Sequence, residues 1–199
     1  MTIADKVTSV RLVLAPFFFV VYLLHHFFPD LAALSLVWTV PVLWVLFIVS
    51  EVSDLVDGKI ARARNEVSDF GKLFDPFSDV LIRMTYFLCF IIDGILPVFL
   101  FLIVLYREFA MLFLRSLMMK KGVAMGASWG GKVKAFVYML AGAVALIASS
   151  LRRLGCSDFV FDIFKIAAVI VFFISVILSA TSFIEYFSVY KKVGEKKPS

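Results

Sequence analysis

Apolar residues fall in six long runs separated by short polar stretches, a pattern that predicts helices crossing a membrane. The first run spans about Val10 to Phe28 and contains Pro16; the second spans about Leu31 to Ser50 and contains Pro41. A polar, acid-rich segment from Glu51 to Asp79 follows. Next comes a run from about Val80 to Ile92, whose helix is expected to start earlier, near Gly71. Asp93-Gly94 is a turn signal, and a fourth run covers Leu96 to about Met118. A loop with glycine and lysine, Lys120 to Lys134, leads to a fifth span at about Ala135 to Ser150 and a sixth at about Val160 to Phe187. A spanning helix needs about 20 apolar residues. The expected fold is therefore an all-α integral membrane protein with six transmembrane helices, a single domain over residues 1–199.

Composition supports this reading. Of 199 residues, 62% are hydrophobic and 18% are charged, whereas a soluble domain carries about 25% charge and could not hide 23 Phe. Disorder, a disulfide scaffold and a collagenous chain are excluded by the same figures. Cys89 and Cys156 lack metal-type spacing and are read as packing residues. HHFFPD, after the first run, offers no small-residue cleavage site, so that run is expected to remain as a span. Net charge +5 suits anionic lipid or an anionic substrate, and the scattered basic residues argue against nucleic acid.

Six spans put both termini on one side. Lys6, Arg11, Lys59, Arg62, Arg64, Lys72, Lys120, Lys121, Lys132, Lys134 and the KKVGEKKPS tail share that side, so positive-inside bias predicts cytoplasmic N- and C-termini. Arg152-Arg153 is the dissenting pair. His25-His26 falls on the far face and is read as an interfacial pair, and Trp129 as a belt or loop residue.

The acid-rich segment carries the candidate chemistry. Asp54 and Asp57 stand three apart, Asp75 and Asp79 four apart, so on helices each pair occupies one face at the end of a span. Carboxylates at membrane depth are costly and normally face a cavity or an ion. Together these four repel one another unless cations lie between them, and hard divalent ions with oxygen ligands, Mg²⁺ or Mn²⁺, fit best. Two such ions can clamp the attacking and leaving oxygens of a displacement at phosphorus. Gly58 and Ala61 permit close approach of a ligand, and Arg62 offers a forked donor to phosphate.

Asp54-x2-Asp57-Gly58-x2-Ala61-Arg62-x8-Gly71-x3-Asp75-x3-Asp79 resembles the signature of the CDP-alcohol phosphatidyltransferases at every fixed position. Eight such residues coincide by chance about once in 10¹⁰ starts. The resemblance implies transfer of a phosphatidyl group from a CDP-linked donor to an alcohol, releasing CMP. It makes Asp54, Asp57, Asp75 and Asp79 the ligands of two Mg²⁺ or Mn²⁺ ions, with Asp79 also the general base. It places Gly58, Ala61, Arg62 and Gly71 in the CDP pocket. Thr8 and Arg11 match the family's usual start of the first span and are candidates to touch the nucleotide.

Arg107 and Arg115 lie eight apart on the fourth span, and Lys132 and Lys134 begin the fifth. These four cations exceed what metal-bound acids need, and a phosphorylated acceptor would use them. Their segments resemble those of the phosphatidylglycerophosphate synthase branch, which implies CDP-diacylglycerol and glycerol 3-phosphate as substrates. Ala135 and Asp5 depart from that branch, where Thr and Asn are usual. A bacterial inner membrane, with the active site facing the cytoplasm, is the expected location. A homodimer is common in the family, and no residue here marks one. Other acceptors of the same fold stay open: a phosphatidylglycerol used for cardiolipin, inositol phosphate, serine or choline. A divalent-cation channel or carrier is the reading from another class.

Overall fold

A computed structural model describes residues 3–28, 32–64, 69–123 and 129–195. It contains six helices and, among the described residues, no strand: α1 (Ile3–Phe27), α2 (Ala32–Arg64), α3 (Asp69–Ile92), α4 (Val98–Lys120), α5 (Trp129–Arg153) and α6 (Asp158–Glu195). Each apolar run becomes a helix, and several helices outrun the apolar residues that announce them. Backbone hydrogen bonding continues wherever nothing breaks it, so a polar tail can extend a helix out of the apolar layer. At 1.5 Å per residue α2 is about 50 Å long, well beyond a hydrocarbon layer of about 30 Å. Its polar last third holds Asp54 in helical register. In the same way α1 begins at Ile3 rather than Val10, and α6 continues to Glu195 rather than stopping at Phe187. The expected loop ending at Lys134 is shorter than read, because Trp129–Lys134 already form the first turns of α5.

α1 packs against α2 and α3, α5 packs against α6, and α3 contacts both α4 and α5. The centre is aromatic. Tyr22, Tyr86, Phe87, Phe90 and Phe172 are fully buried and meet largely edge to face. Gly142 of α5 lets the Phe47 and Tyr86 rings approach its backbone, since a Cβ there would lie 3.0 Å and 3.1 Å from their nearest ring carbons.

Charge and apolar surface are distributed the opposite way from a soluble globule. Arg11, Arg83, Arg107, Glu108 and Arg153 are buried, while Phe99, Tyr106, Phe113, Phe136 and Ile184 are exposed. That arrangement suits a lipid solvent. Among the described residues, four helices contain segments long and apolar enough to cross a membrane: Lys6–Phe27, Val37–Asp54, Trp129–Arg153 and Asp158–Lys191. α3 and α4 are interrupted by Asp75, Asp79 and Arg83, and by Arg107, Glu108 and Arg115.

Arg153 explains its own dissent from the charge bias. Its side chain is buried and donates to Thr39 Oγ1 (3.1 Å), to the Tyr22 carbonyl (2.9 Å) and to Ser149 Oγ (3.2 Å). It is an internal anchor, not a loop charge that reports on sidedness.

Candidate active site

The polar end of α2 and the first turns of α3 bring Asp54, Asp75 and Asp79 together, each with a carboxylate oxygen within 4.8 Å of the others'. Asp75 and Asp79 share a face of α3 one turn apart, ahead of the apolar stretch that begins at Val80. Two arginines lie among them. Arg11 of α1 donates through Nη1 to Asp54 Oδ1 (2.8 Å) and to Asp79 Oδ1, and through Nη2 to Asp75 Oδ1 (2.6 Å). Arg83, one turn after Asp79, reaches Asp54 Oδ2 at 3.4 Å and lies 3.9 Å from both Asp79 Oδ2 and Glu51 Oε2. Glu51 in turn accepts from the Tyr86 hydroxyl (2.8 Å).

Divalent cations at these oxygens would favour the ionised carboxylates. The donor set suits such ions: convergent carboxylate oxygens from two rigid helices, with no sulfur or imidazole among them.

The carboxylates form one wall of a cavity of about 550 Å³, and the opposite wall is basic. Asp54, Asp75, Asp79 and Gly58 line it together with Arg107, Arg115, Lys132 and Lys134. Arg107 of α4 is held by α6, donating Nε to the Ser179 carbonyl (2.9 Å) and Nη2 to Ser182 Oγ (3.0 Å). Its Nη1 donates to Glu108 Oε1 (2.9 Å), the oxygen that also accepts from Lys134 Nζ (2.7 Å) and lies 3.1 Å from the Tyr138 hydroxyl. Arg115 is less committed. Its guanidinium sits 5.9 Å over the Tyr186 ring, and its buried Nε has no hydrogen-bond partner. Lys132 is exposed.

Thr8 and Gly71 stand outside this lining. Thr8 is buried in α1 one turn before Arg11, and Gly71 is half-buried in the first turn of α3. The backbones of Asp57, Ala61 and Arg62 continue α2, but their side chains lie outside the described residues, as do those of Asp5, Glu66 and Asp69.

Arg83, Glu108 and Glu51 are site residues that motif reading passed over. Arg83 had a signal, a lone cation one turn beyond Asp79 in an otherwise apolar run. Glu108 had a weaker one, an acid inside an apolar span next to an arginine.

A family model described as CDP-alcohol phosphatidyltransferase matches residues 1–181. The chain belongs to the CDP-alcohol phosphatidyltransferase family. Among its relatives is a protein of Treponema pallidum (strain Nichols) named CDP-diacylglycerol–glycerol-3-phosphate 3-phosphatidyltransferase. The two are 36% identical over 196 residues, covering 96% of this chain and 89% of the relative. A Bacillus subtilis (strain 168) protein of the same name is 29% identical over 147 residues, 72% of this chain and 75% of its own length. In this phosphatidyltransferase Asp54, Asp75 and Asp79 stand on one wall of a cavity whose other wall is basic.

Proposed function

We propose that this enzyme transfers the phosphatidyl group of CDP-diacylglycerol to glycerol 3-phosphate, releasing CMP and forming phosphatidylglycerophosphate. The observation that carries the reading is a single cavity with carboxylates on one wall and Arg107, Arg115, Lys132 and Lys134 on the other. Glu108 takes up part of the charge of Arg107 and Lys134, which leaves that wall basic through Arg115 and Lys132; a phosphate monoester can use this excess, whereas an uncharged alcohol cannot. The names of the Treponema and Bacillus relatives support the same pair of substrates.

Asp54, Asp57, Asp75 and Asp79 would hold two Mg²⁺ or Mn²⁺ ions, which neutralise the diphosphate oxygens of the donor. Gly58 keeps the backbone of α2 open to the nucleotide, with Ala61, Arg62, Gly71 and Thr8 proposed around it. The acceptor phosphate lies against Arg115, Lys132 and Lys134, with Arg107 and Glu108 fixing the geometry of that wall. The acceptor hydroxyl oxygen then bonds to the phosphatidyl phosphorus as the bond to the CMP oxygen breaks. The hydroxyl proton passes to the Asp79 carboxylate, and CMP leaves.

In this reading all six helices span the bacterial inner membrane, with both termini and the cavity on the cytoplasmic side. A reporter fused after Ser199 or within residues 120–131 is expected to read cytoplasm, and one at Asp93-Gly94 the opposite face. A C-terminal reporter outside would overturn the six-span arrangement. For the reaction, purified protein with CDP-diacylglycerol should release CMP only when glycerol 3-phosphate and Mg²⁺ or Mn²⁺ are both present, and chelation should abolish it. CMP release that persists after complete chelation would refute the metal assignment.

A further inference from the structure

The far end of the bundle holds a second group of potential ligands that the transfer reaction does not use. His25 and His26 close α1, and Asp93 opens the turn after α3. Along α1, His25 lies fourteen residues beyond Arg11, about 20 Å from the carboxylate cluster. One ring nitrogen from each histidine and a carboxylate oxygen of Asp93 lie within 4.8 Å of one another. They border a cleft of about 330 Å³ that Ile92, Arg152 and Arg153 complete.

The hydrogen bonds fix which atoms point inward. His25 Nδ1 lies 3.0 Å from the Tyr22 carbonyl, which can only accept, so Nδ1 carries the proton. In the neutral ring Nε2 is then a bare lone pair, and it faces Asp93 Oδ1 at 3.9 Å. That separation is too long for a hydrogen bond, yet a metal bridging N and O at about 2.0–2.2 Å to each would span it. Asp93 Oδ2 is engaged on its other side by the Tyr22 hydroxyl (2.7 Å), with Arg153 Nη2 at 3.8 Å. Both ligands therefore have the outer partners that orient ligands in metal sites, an imidazole N–H on a carbonyl and a carboxylate held by a hydroxyl.

The two arginines decide the class of ion. Arg153 is bonded to Thr39, Ser149 and the Tyr22 carbonyl; Arg152 donates to the Asp93 carbonyl (2.8 Å) and lies over the Phe161 ring. Both donate to other partners as well, and their two positive charges exceed the single negative charge of Asp93. An ion held mainly by charge, such as Mg²⁺, gains little there, whereas one that bonds well to imidazole gains more.

We propose that His25, His26 and Asp93 bind one borderline transition-metal ion, of the Zn²⁺, Co²⁺ or Ni²⁺ type, tying the end of α1 to the α3–α4 turn. A water or an exogenous ligand takes the remaining position facing the cleft.

The test is Co²⁺ titration of tag-free, full-length protein in detergent with excess Mg²⁺, in a Cys156→Ser background. The expected result is one Co²⁺ per chain, with the strong visible absorption of a nitrogen-ligated, low-coordinate ion, displaced by Zn²⁺. His25→Ala and His26→Ala should each weaken binding by more than about tenfold while CMP release in Mg²⁺ stays at the wild-type rate. His26→Cys should retain Co²⁺ and add a sulfur-to-metal charge-transfer band, which places position 26 in the coordination sphere whatever the alanine variants do. Absence of saturable Co²⁺ binding, binding unchanged in both alanine variants, or no charge-transfer band in His26→Cys would each overturn the proposal.

Discussion

The two walls of the cavity are electrostatic opposites. On α2 and α3, Asp54, Asp75 and Asp79 converge, and the guanidiniums of Arg11 and Arg83 lie among them. On α4 and α5, Arg107 and Lys134 converge on a single carboxylate oxygen of Glu108, with Arg115 and Lys132 nearby. The acidic wall is local in sequence, built by the end of one helix and the start of the next. The basic wall needs α4, α5 and α6 packed together, with Arg107 fastened to Ser179 and Ser182. In the proposed reading, donor chemistry is written in a short segment, whereas acceptor choice is a property of tertiary packing.

Substitution on the acidic wall should have the largest effect. Asp54→Asn or Asp75→Asn is expected to lower CMP release by at least about 10³-fold, as loss of charge directed at a phosphoryl transition state does. The protein should still extract in detergent as a folded species. Turnover that survives replacement of both would remove the distinction between the walls.

The basic wall should respond in KM for one substrate. Arg115→Gln is expected to raise KM for glycerol 3-phosphate by about 10–150-fold, the equivalent of a charge-assisted hydrogen bond worth about 1.5–3 kcal/mol. KM for CDP-diacylglycerol should move far less. Arg115→Lys should cost less than Arg115→Gln, because charge survives while the fork is lost. Steady-state kinetics with each substrate varied in turn will show whether the two walls divide the substrates in this way.

The smallest effect concerns the joint between the walls. Gly142 of α5 faces Phe47 of α2 and Tyr86 of α3, rings in edge contact with each other. Gly142→Ala is expected to lower stability by about 1–3 kcal/mol through overpacking, read as a drop in thermal midpoint. Because it disturbs how the walls meet, both KM values should shift together, not the acceptor's alone.

The comparison also explains what was legible in the sequence. The all-helical fold was plain, because six apolar runs each became a helix. Their ends were not, since the polar extensions of α1, α2 and α6 have no apolar periodicity to announce them. Asp75 and Asp79 were readable as a pair because a spacing of four on a helix places side chains together, whereas their convergence with Asp54 depends on how α2 meets α3. Arg107, Arg115, Lys132 and Lys134 were readable as cations. That Arg107 is tied to α6 while the Nε of Arg115 is left unpaired depends on how α4 meets α6, which no local spacing encodes. The same holds for Arg153, whose partners Tyr22 and Thr39 lie more than a hundred residues away.

The central claim is that the basic wall exists to hold a phosphorylated acceptor. Its most direct test is the ratio of kcat/KM for glycerol 3-phosphate to that for glycerol, measured as CMP release by the wild-type protein with CDP-diacylglycerol and saturating Mg²⁺. Each charge-assisted contact to the phosphate that glycerol cannot make is worth about 1.5–3 kcal/mol, so loss of two such contacts predicts a ratio of at least about 10². A ratio near one, or a preference for glycerol or another unphosphorylated alcohol, would contradict the account and leave only the acidic wall explained.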